Sequence, residues 1–222
     1  MKLVLFDVNG TLVKDYLDVS EYVAESIRSI YGILTEVDLS KYDGFTSQEI
    51  AESVLLENGF PKEEIDAKLE RYCEDLFYSY YNVAGHNKQI VLDGAESLLN
   101  ELSRKGNALL GIATGEAERV ARFRLEKVNF SKYFKIGSFG NDGKHIRQII
   151  DKAVSSAKST YGIDDGFFVS SAARALEEAK SAGISTIGVA ADGKSYADLE
   201  RIADAALASL KDSRKMLKAI GF

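Results

Sequence analysis

Short apolar runs alternate with helical patterns along most of this 222-residue chain, and a single long helical stretch breaks the alternation. Leu3 to Phe6, Ala108 to Ala113, Lys135 to Phe139, Phe167 to Ser170 and Ser185 to Ala190 are each of strand length. Helical patterns at 116–128, 144–160 and 172–182 separate the later runs. Strands alternating with helices predict a doubly wound α/β fold, a mostly parallel sheet covered on both faces.

Residues 15–89 read differently. From Pro61 to Ala84 the residues Ile65, Leu69, Cys73, Leu76 and Tyr80 recur at helical spacing, with Pro61 suited to the first turn. Thr46-x-x-Glu49 is a capping box that opens another helix. The stretch predicts an inserted all-helical cap domain, 15–89, on a core made of 1–14 and 90–222. Its expected place is over the carboxyl ends of the strands, where open α/β sheets bind ligands. The aromatics Tyr72, Phe77, Tyr78, Tyr80 and Tyr81 could line a pocket there, but helical spacing favours core packing.

Charge and composition remove other classes. With 28 Lys+Arg against 34 Asp+Glu the net charge is −6, which argues against a general nucleic-acid binder or attachment to anionic membranes. No apolar run approaches the roughly 18 residues of a membrane span, and the first one is too short for a signal peptide, so a cytoplasmic location is expected. Cys73 is the only cysteine, which leaves neither an internal disulfide nor a thiolate metal cluster. His86 and His145 have no metal-ligand partner at motif spacing. No pattern specifies an oligomeric state.

The sharpest local signal is Phe6-Asp7-Val8-Asn9-Gly10-Thr11. An aspartate at the end of a buried strand, followed by a glycine turn and a hydroxyl, can present its carboxylate as a nucleophile while loop N–H groups hold an anion. The same residues also read as an ordinary turn after a strand.

In its wider context this segment resembles the opening motif of the haloacid dehalogenase-like hydrolases, usually Asp-x-Asp-Gly-Thr. Leu92-Asp-Gly-Ala95 resembles the lead-in to that superfamily's second motif, Ile112-Ala-Thr-Gly115 the second motif itself, and Ile136 to Asp142 a segment of phosphoglycolate-phosphatase-like members. Phe168-Val-Ser-Ser171, Glu178 to Gly183 and Ile187-Gly-Val189 resemble the frame of the fourth. The resemblance implies that Asp7 is the nucleophile, that Gly10, Thr11, Thr114 and the Gly115 N–H hold the transferring group, and that Lys144, or Arg147 one turn later, is the third-motif cation. It also implies a small anionic substrate.

Two departures bear on activity. Asn9 stands at the family's general acid/base position, and an amide cannot transfer a catalytic proton at neutral pH. Ser171 and Ala175 stand where the family's magnesium-binding acids would be, which reduces the implied Mg²⁺ site to Asp7, the Asn9 carbonyl and the Ser171 hydroxyl. Asp192 is a candidate compensating acid, or a turn residue before Gly193. Three readings follow: a phosphatase with weakened proton-transfer and metal sites, a metal-independent hydrolase acting on carbon in the manner of 2-haloacid dehalogenases, or a non-catalytic relative that keeps an anion site. The phosphatase leads.

Overall fold

A computed structural model describes residues 1–17, 20–191 and 193–222. In chain order the strands are β1 (Lys2–Phe6), β2 (Val13–Asp15), β3 (Gln89–Val91), β4 (Ala108–Ala113), β5 (Ile136–Ser138), β6 (Asp165–Ser170), β7 (Ser185–Val189) and β8 (Ala205–Leu207). The helices are α1 (Glu21–Tyr31), α2 (Ser47–Glu57), α3 (Lys62–Ala84), α4 (Ala95–Ser103), α5 (Glu118–Lys127), α6 (Ile146–Tyr161), α7 (Ala173–Ser181), α8 (Tyr196–Ile202) and α9 (Ser213–Ala219).

Six strands form one parallel sheet in the order β5-β4-β1-β6-β7-β8, which bears out the doubly wound α/β expectation. Strand β1 lies between β4 and β6, and its side chains alternate between two cores: Val4 and Phe6 enter one, Leu3 and Leu5 the other. All four are fully buried, so the strand reads as a continuous apolar run. The chain winds outward through β4 and β5, then returns to β6 on the other side of β1. That reversal puts a crevice beyond the carboxyl ends of β1, β4 and β6.

Helices α1, α2 and α3 pack around a third core that includes Ile27, Leu55, Ile65, Tyr72 and Tyr80. Thr46 caps α2 as the sequence predicts: its side chain accepts from the Glu49 N–H at 3.1 Å, and the Glu49 carboxylate accepts from the Thr46 N–H at 3.0 Å. Pro61 is the N-cap of α3 rather than a first-turn residue. The third core also takes in Ala117 and Val120 at the start of α5. A two-stranded antiparallel ribbon, β2 with β3, carries the chain out to these helices and back. Among the described residues no helix is long and apolar enough to cross a membrane.

Candidate active site

Asp7 leaves the end of β1 with both carboxylate oxygens engaged. Oδ1 accepts from the Thr114 hydroxyl and from the Val8 N–H, each at 2.8 Å, and Oδ2 accepts from the Ser170 hydroxyl at 3.0 Å. Thr114 follows β4 and Ser170 closes β6, so three adjacent strand ends converge on one carboxylate. The Ala172 N–H donates to Ser170 Oγ at 3.1 Å, which directs the Ser170 proton to Asp7. Burial pushes the Asp7 carboxyl above its ordinary range, against the bonds from Thr114, Val8 and Ser170 that favour the ionised form.

Behind Asp7 lies a buried arginine. Arg124, on α5 and only 2% exposed, pairs with Asp15 and with Glu116, whose Oε1 is 3.1 Å away. Its Nη1 also donates to the Asn9 side-chain oxygen at 2.8 Å. The Tyr80 hydroxyl donates to Asp15 at 2.6 Å, and the guanidinium stacks over the Tyr80 ring. A guanidinium taken out of water needs such partners, and this one has two carboxylates and an amide. The second Glu116 carboxylate oxygen is buried without a hydrogen-bond partner. Burial, with Asp7 and Asp15 nearby, pushes the Glu116 carboxyl up to about 7 although Arg124 opposes it.

The N-terminal turn of α2 closes the crevice from above. The Ser47 N–H donates to the Gly115 carbonyl at 2.8 Å and the Ala117 N–H to Ser47 Oγ at 3.2 Å. The Thr46 hydroxyl reaches the Lys144 carbonyl at 2.5 Å, and the Gln48 amide the Gly140 carbonyl at 2.8 Å. Glu49 meets His145 and Arg174, both at 2.6 Å. A Cβ on Gly115 would lie 2.8 Å from Thr46 Cα, so only glycine lets the two backbones approach this closely.

The cavity, partly open to solvent, has a volume of about 140 Å³ and is lined in part by Asp7, Asn9, Asp43, Thr114, Gly115 and Glu116. Most of its remaining walls are apolar or aromatic, among them Tyr22 and Ala175. Of the residues singled out from the sequence, Asp7, Asn9, Thr114 and Gly115 meet at this cavity. Gly10 and Thr11 do not line it. Gly10 adopts φ +71°, the left-handed conformation that the turn requires, and Thr11 is fully buried, its hydroxyl accepting from the Ser171 N–H at 3.0 Å.

Lys144 goes elsewhere. Its ammonium lies 2.7 Å from Glu52 and 3.8 Å from Asp66, on the seam between α6 and the helices above, and it makes no ion pair with Asp7. The two carboxylates supply a nearer counter-charge than Asp7, which is why the expected cation is not delivered to the cavity. Arg147 does not replace it, since it pairs along its own helix with Asp151. Among the described residues no lysine or arginine lines the cavity. The aromatic side chains of α3 stay out as well: Tyr72 and Tyr80 are fully buried in the helical core, while Tyr78 and Tyr81 face solvent.

The donors suit Mg²⁺ poorly. Mg²⁺ requires oxygen ligands in near-octahedral array, favouring carboxylates. Both Asp7 oxygens accept hydrogen bonds, and the Ser171 hydroxyl lies in the buried contact with Thr11, outside the cavity lining. Among the described residues no three His, Cys, Asp or Glu side chains are grouped to hold a metal ion. Asp192 lies outside the described residues.

Ser170, Glu116 and Arg124 complete the site, and sequence reasoning passed over all three. A signal for Arg124 was present: it shares the α5 face of Val120 and Ala121, where a charge needs a buried partner.

Residues 4–189 match the haloacid dehalogenase-like hydrolase family. The chain belongs to this family. That membership bears out the expectation of a hydrolase. Among solved structures, a hydrolase from Pseudomonas syringae is 20% identical with a TM-score of 0.72, covering 100% of this chain and 99% of its own. A predicted phosphatase from Clostridium acetobutylicum is 23% identical with a TM-score of 0.68, covering 98% of each chain. A predicted phosphoglycolate phosphatase from Haemophilus somnus 129pt is 15% identical with a TM-score of 0.69, covering 97% of each. These likenesses extend over essentially the full length of the fold. No curated protein matches the sequence significantly.

Proposed function

We propose that this family member is a cytoplasmic phosphatase that hydrolyses a small phosphorylated metabolite through an aspartyl intermediate on Asp7. The observation that carries the reading is the Asp7 carboxylate, fixed by Thr114, Ser170 and the Val8 N–H at the edge of a small cavity. A fixed carboxylate attacks without first losing rotational freedom. A volume of about 140 Å³ is well below the ~300 Å³ at which drug-sized pockets begin, which points to a small substrate. The phosphatase-like structural neighbours support the same class.

In the first step an Asp7 oxygen bonds to phosphorus as the ester P–O bond breaks and the alcohol oxygen leaves. Water then attacks the phosphorus of the aspartyl phosphate, which frees phosphate and regenerates the carboxylate. Thr114 and Gly115 line the cavity beside Asp7, and in this reading the Gly115 N–H, with the Thr114 hydroxyl turned from Asp7, holds the transferring oxygens. Asp7, Asp43 and Glu116 each line the cavity, and among the described residues no lysine or arginine does, so a phosphate dianion meets repulsion and turnover should be slow. Lys194 offsets part of it through its 2.8 Å pair with Asp43. In this reading the chain divides into a core, 1–14 with 90–222, and a cap, 15–89, with the cap selecting the substrate.

A second reading, hydrolysis at carbon, is favoured by that same absence of a cation at Asp7, because an uncharged electrophilic carbon needs none. Turnover of an aryl and an alkyl phosphate, with Mg²⁺ and with chelator, and halide release from a 2-haloacid separate the two. Phosphate release that disappears in Asp7→Asn supports the phosphatase. Halide release without phosphate release moves the assignment to carbon, and turnover indifferent to Asp7→Asn overturns both.

A further inference from the structure

We propose that Glu116 supplies the proton-transfer function that Asn9 cannot, donating to the leaving oxygen and then accepting from the attacking water. The inference rests on the aspartyl-phosphate reading above and names the residue that reading lacks.

The geometry begins at Arg124. Its Nη1 lies 2.8 Å from the Asn9 side-chain oxygen and 3.1 Å from Glu116 Oε1, so the two side chains share one nitrogen as neighbour. Glu116 thus brings a carboxyl group to within the span of two hydrogen bonds of the position where the family carries its acid. It reaches that place from the β4 end of the cavity, two residues after Thr114, while Asn9 comes from the β1 end. Both line the cavity with Asp7. Oε1 is held by the guanidinium, and the other oxygen is buried with no partner. A buried orphan carboxyl oxygen is costly unless a proton or a ligand satisfies it.

The surrounding charges suit the task. Arg124 on α5 favours the ionised carboxyl, whereas Asp7 beyond β1 and Asp15 on β2 favour the neutral one, as does burial. Asp43 lines the same cavity, and Tyr22 on α1 and Tyr80 on α3 also feel the Glu116 charge; burial pushes both phenols up, so they stay neutral near pH 7. A carboxyl pushed up to about 7 suits a group serving as both acid and base. Its neutral form also removes one negative charge from the path of a phosphate dianion.

The step balances. Asp7 forms its bond to phosphorus while the Glu116 proton passes to the departing alkoxide, which yields the alcohol, the aspartyl phosphate and ionised Glu116. Water then attacks phosphorus, its proton passes to Glu116, and the Asp7–phosphorus bond breaks to release phosphate. Asp7 ends ionised and Glu116 protonated, as they began.

The experiment compares the parent, Glu116→Gln, Glu116→Asp and Asp7→Asn on an alkyl and an aryl phosphate across pH 5 to 9, with mass spectrometry of the protein after mixing with the aryl ester. Glu116→Gln keeps an acceptor for Arg124 and should lower alkyl turnover about 100-fold or more. It should also accumulate a phosphorylated protein, because the base for hydrolysis is gone, and lose the pH limb near 7. Glu116→Asp should retain part of the activity with that limb displaced, which keeps the test decisive if the glutamine variant folds poorly. Phosphatase activity abolished by Asp7→Asn but unchanged in rate and pH profile by both Glu116 variants overturns the Glu116 role alone. A parent with no turnover of either ester overturns the phosphatase reading and this inference with it.

Discussion

The Asn9 side-chain oxygen accepts a 2.8 Å hydrogen bond from Nη1 of the buried Arg124. An aspartate introduced at position 9 would share Nη1 with Glu116, 2.8 Å against 3.1 Å, and of two carboxyls on one guanidinium the nearer is held ionised while Glu116 keeps the proton. The introduced carboxylate could accept a proton from water but would be a poor donor to a leaving group. Asn9→Asp should therefore speed hydrolysis of the aspartyl phosphate formed from an aryl ester. It should bring alkyl phosphates no gain approaching the ~100-fold that a proton donor contributes. The ratio of alkyl to aryl turnover in the two proteins checks this, and a large rise in that ratio would contradict it.

Arg124→Met leaves Asp15 and Glu116, 5% and 13% exposed, without their cation. Breaking one side of a buried charge network typically costs ~3–5 kcal/mol, more than loss of the guanidinium's packing would cost alone. Denaturant unfolding of the two proteins should register a loss of that order. A loss under ~1 kcal/mol would mean that the carboxylates find water or protons instead.

Gly115→Ala inserts a methyl group 2.8 Å from Thr46 Cα and 2.9 Å from the Phe45 carbonyl. Backbone cannot swing aside as a side chain can, so the Ser47 N–H to Gly115 carbonyl bond should open while the sheet stays intact. Hydrogen exchange read amide by amide should show faster exchange at Ser47 and unchanged exchange in β1 and β4.

Much of the architecture is legible in the sequence alone, for reasons visible in single strands. Strands β1, β4 and β6 are covered on both faces, so their apolar runs are nearly unbroken and end abruptly at Asp7, Thr114 and Ser170. The ribbon strands were not readable: Val13-Lys14-Asp15 is three residues long and carries no period. Nor was the choice between neighbouring serines. Alternation along an extended segment turns Ser170 to Asp7 and Ser171 to Thr11, and a motif reading selected the second. Lys144 illustrates a different limit, since its destination is set by Glu52 and Asp66, which lie about eighty to ninety positions away in sequence and come close only on folding.

Burial pushes the Glu49 carboxyl up, but its bonds from Arg174, the Thr46 N–H and His145 outweigh that and bring it below its ordinary value. A carboxyl depressed in the folded protein contributes stability above its unfolded pKa of ~4.3 and loses it as pH falls through the folded value. Glu49 joins α2 to His145 and Arg174, so acid should loosen this seam. Thermal unfolding between pH 7 and pH 3 should fall less steeply in Glu49→Gln than in the parent, with the difference developing below about pH 4.5.

The ribbon of β2 and β3 sets how the helices above the sheet can move. Two connections lie side by side, Val13 opposite Val91 and Asp15 opposite Gln89, and are hydrogen-bonded to each other. A single tether would let its load tumble in any direction, whereas a paired strip bends readily only about the line across its width. Asp15, at the far end of that strip, is clamped to Arg124 and bonded to Tyr80. Any motion that admits a molecule to Asp7 should therefore be a rocking about one axis, with each swing pulling on the arginine that holds Asn9 and Glu116.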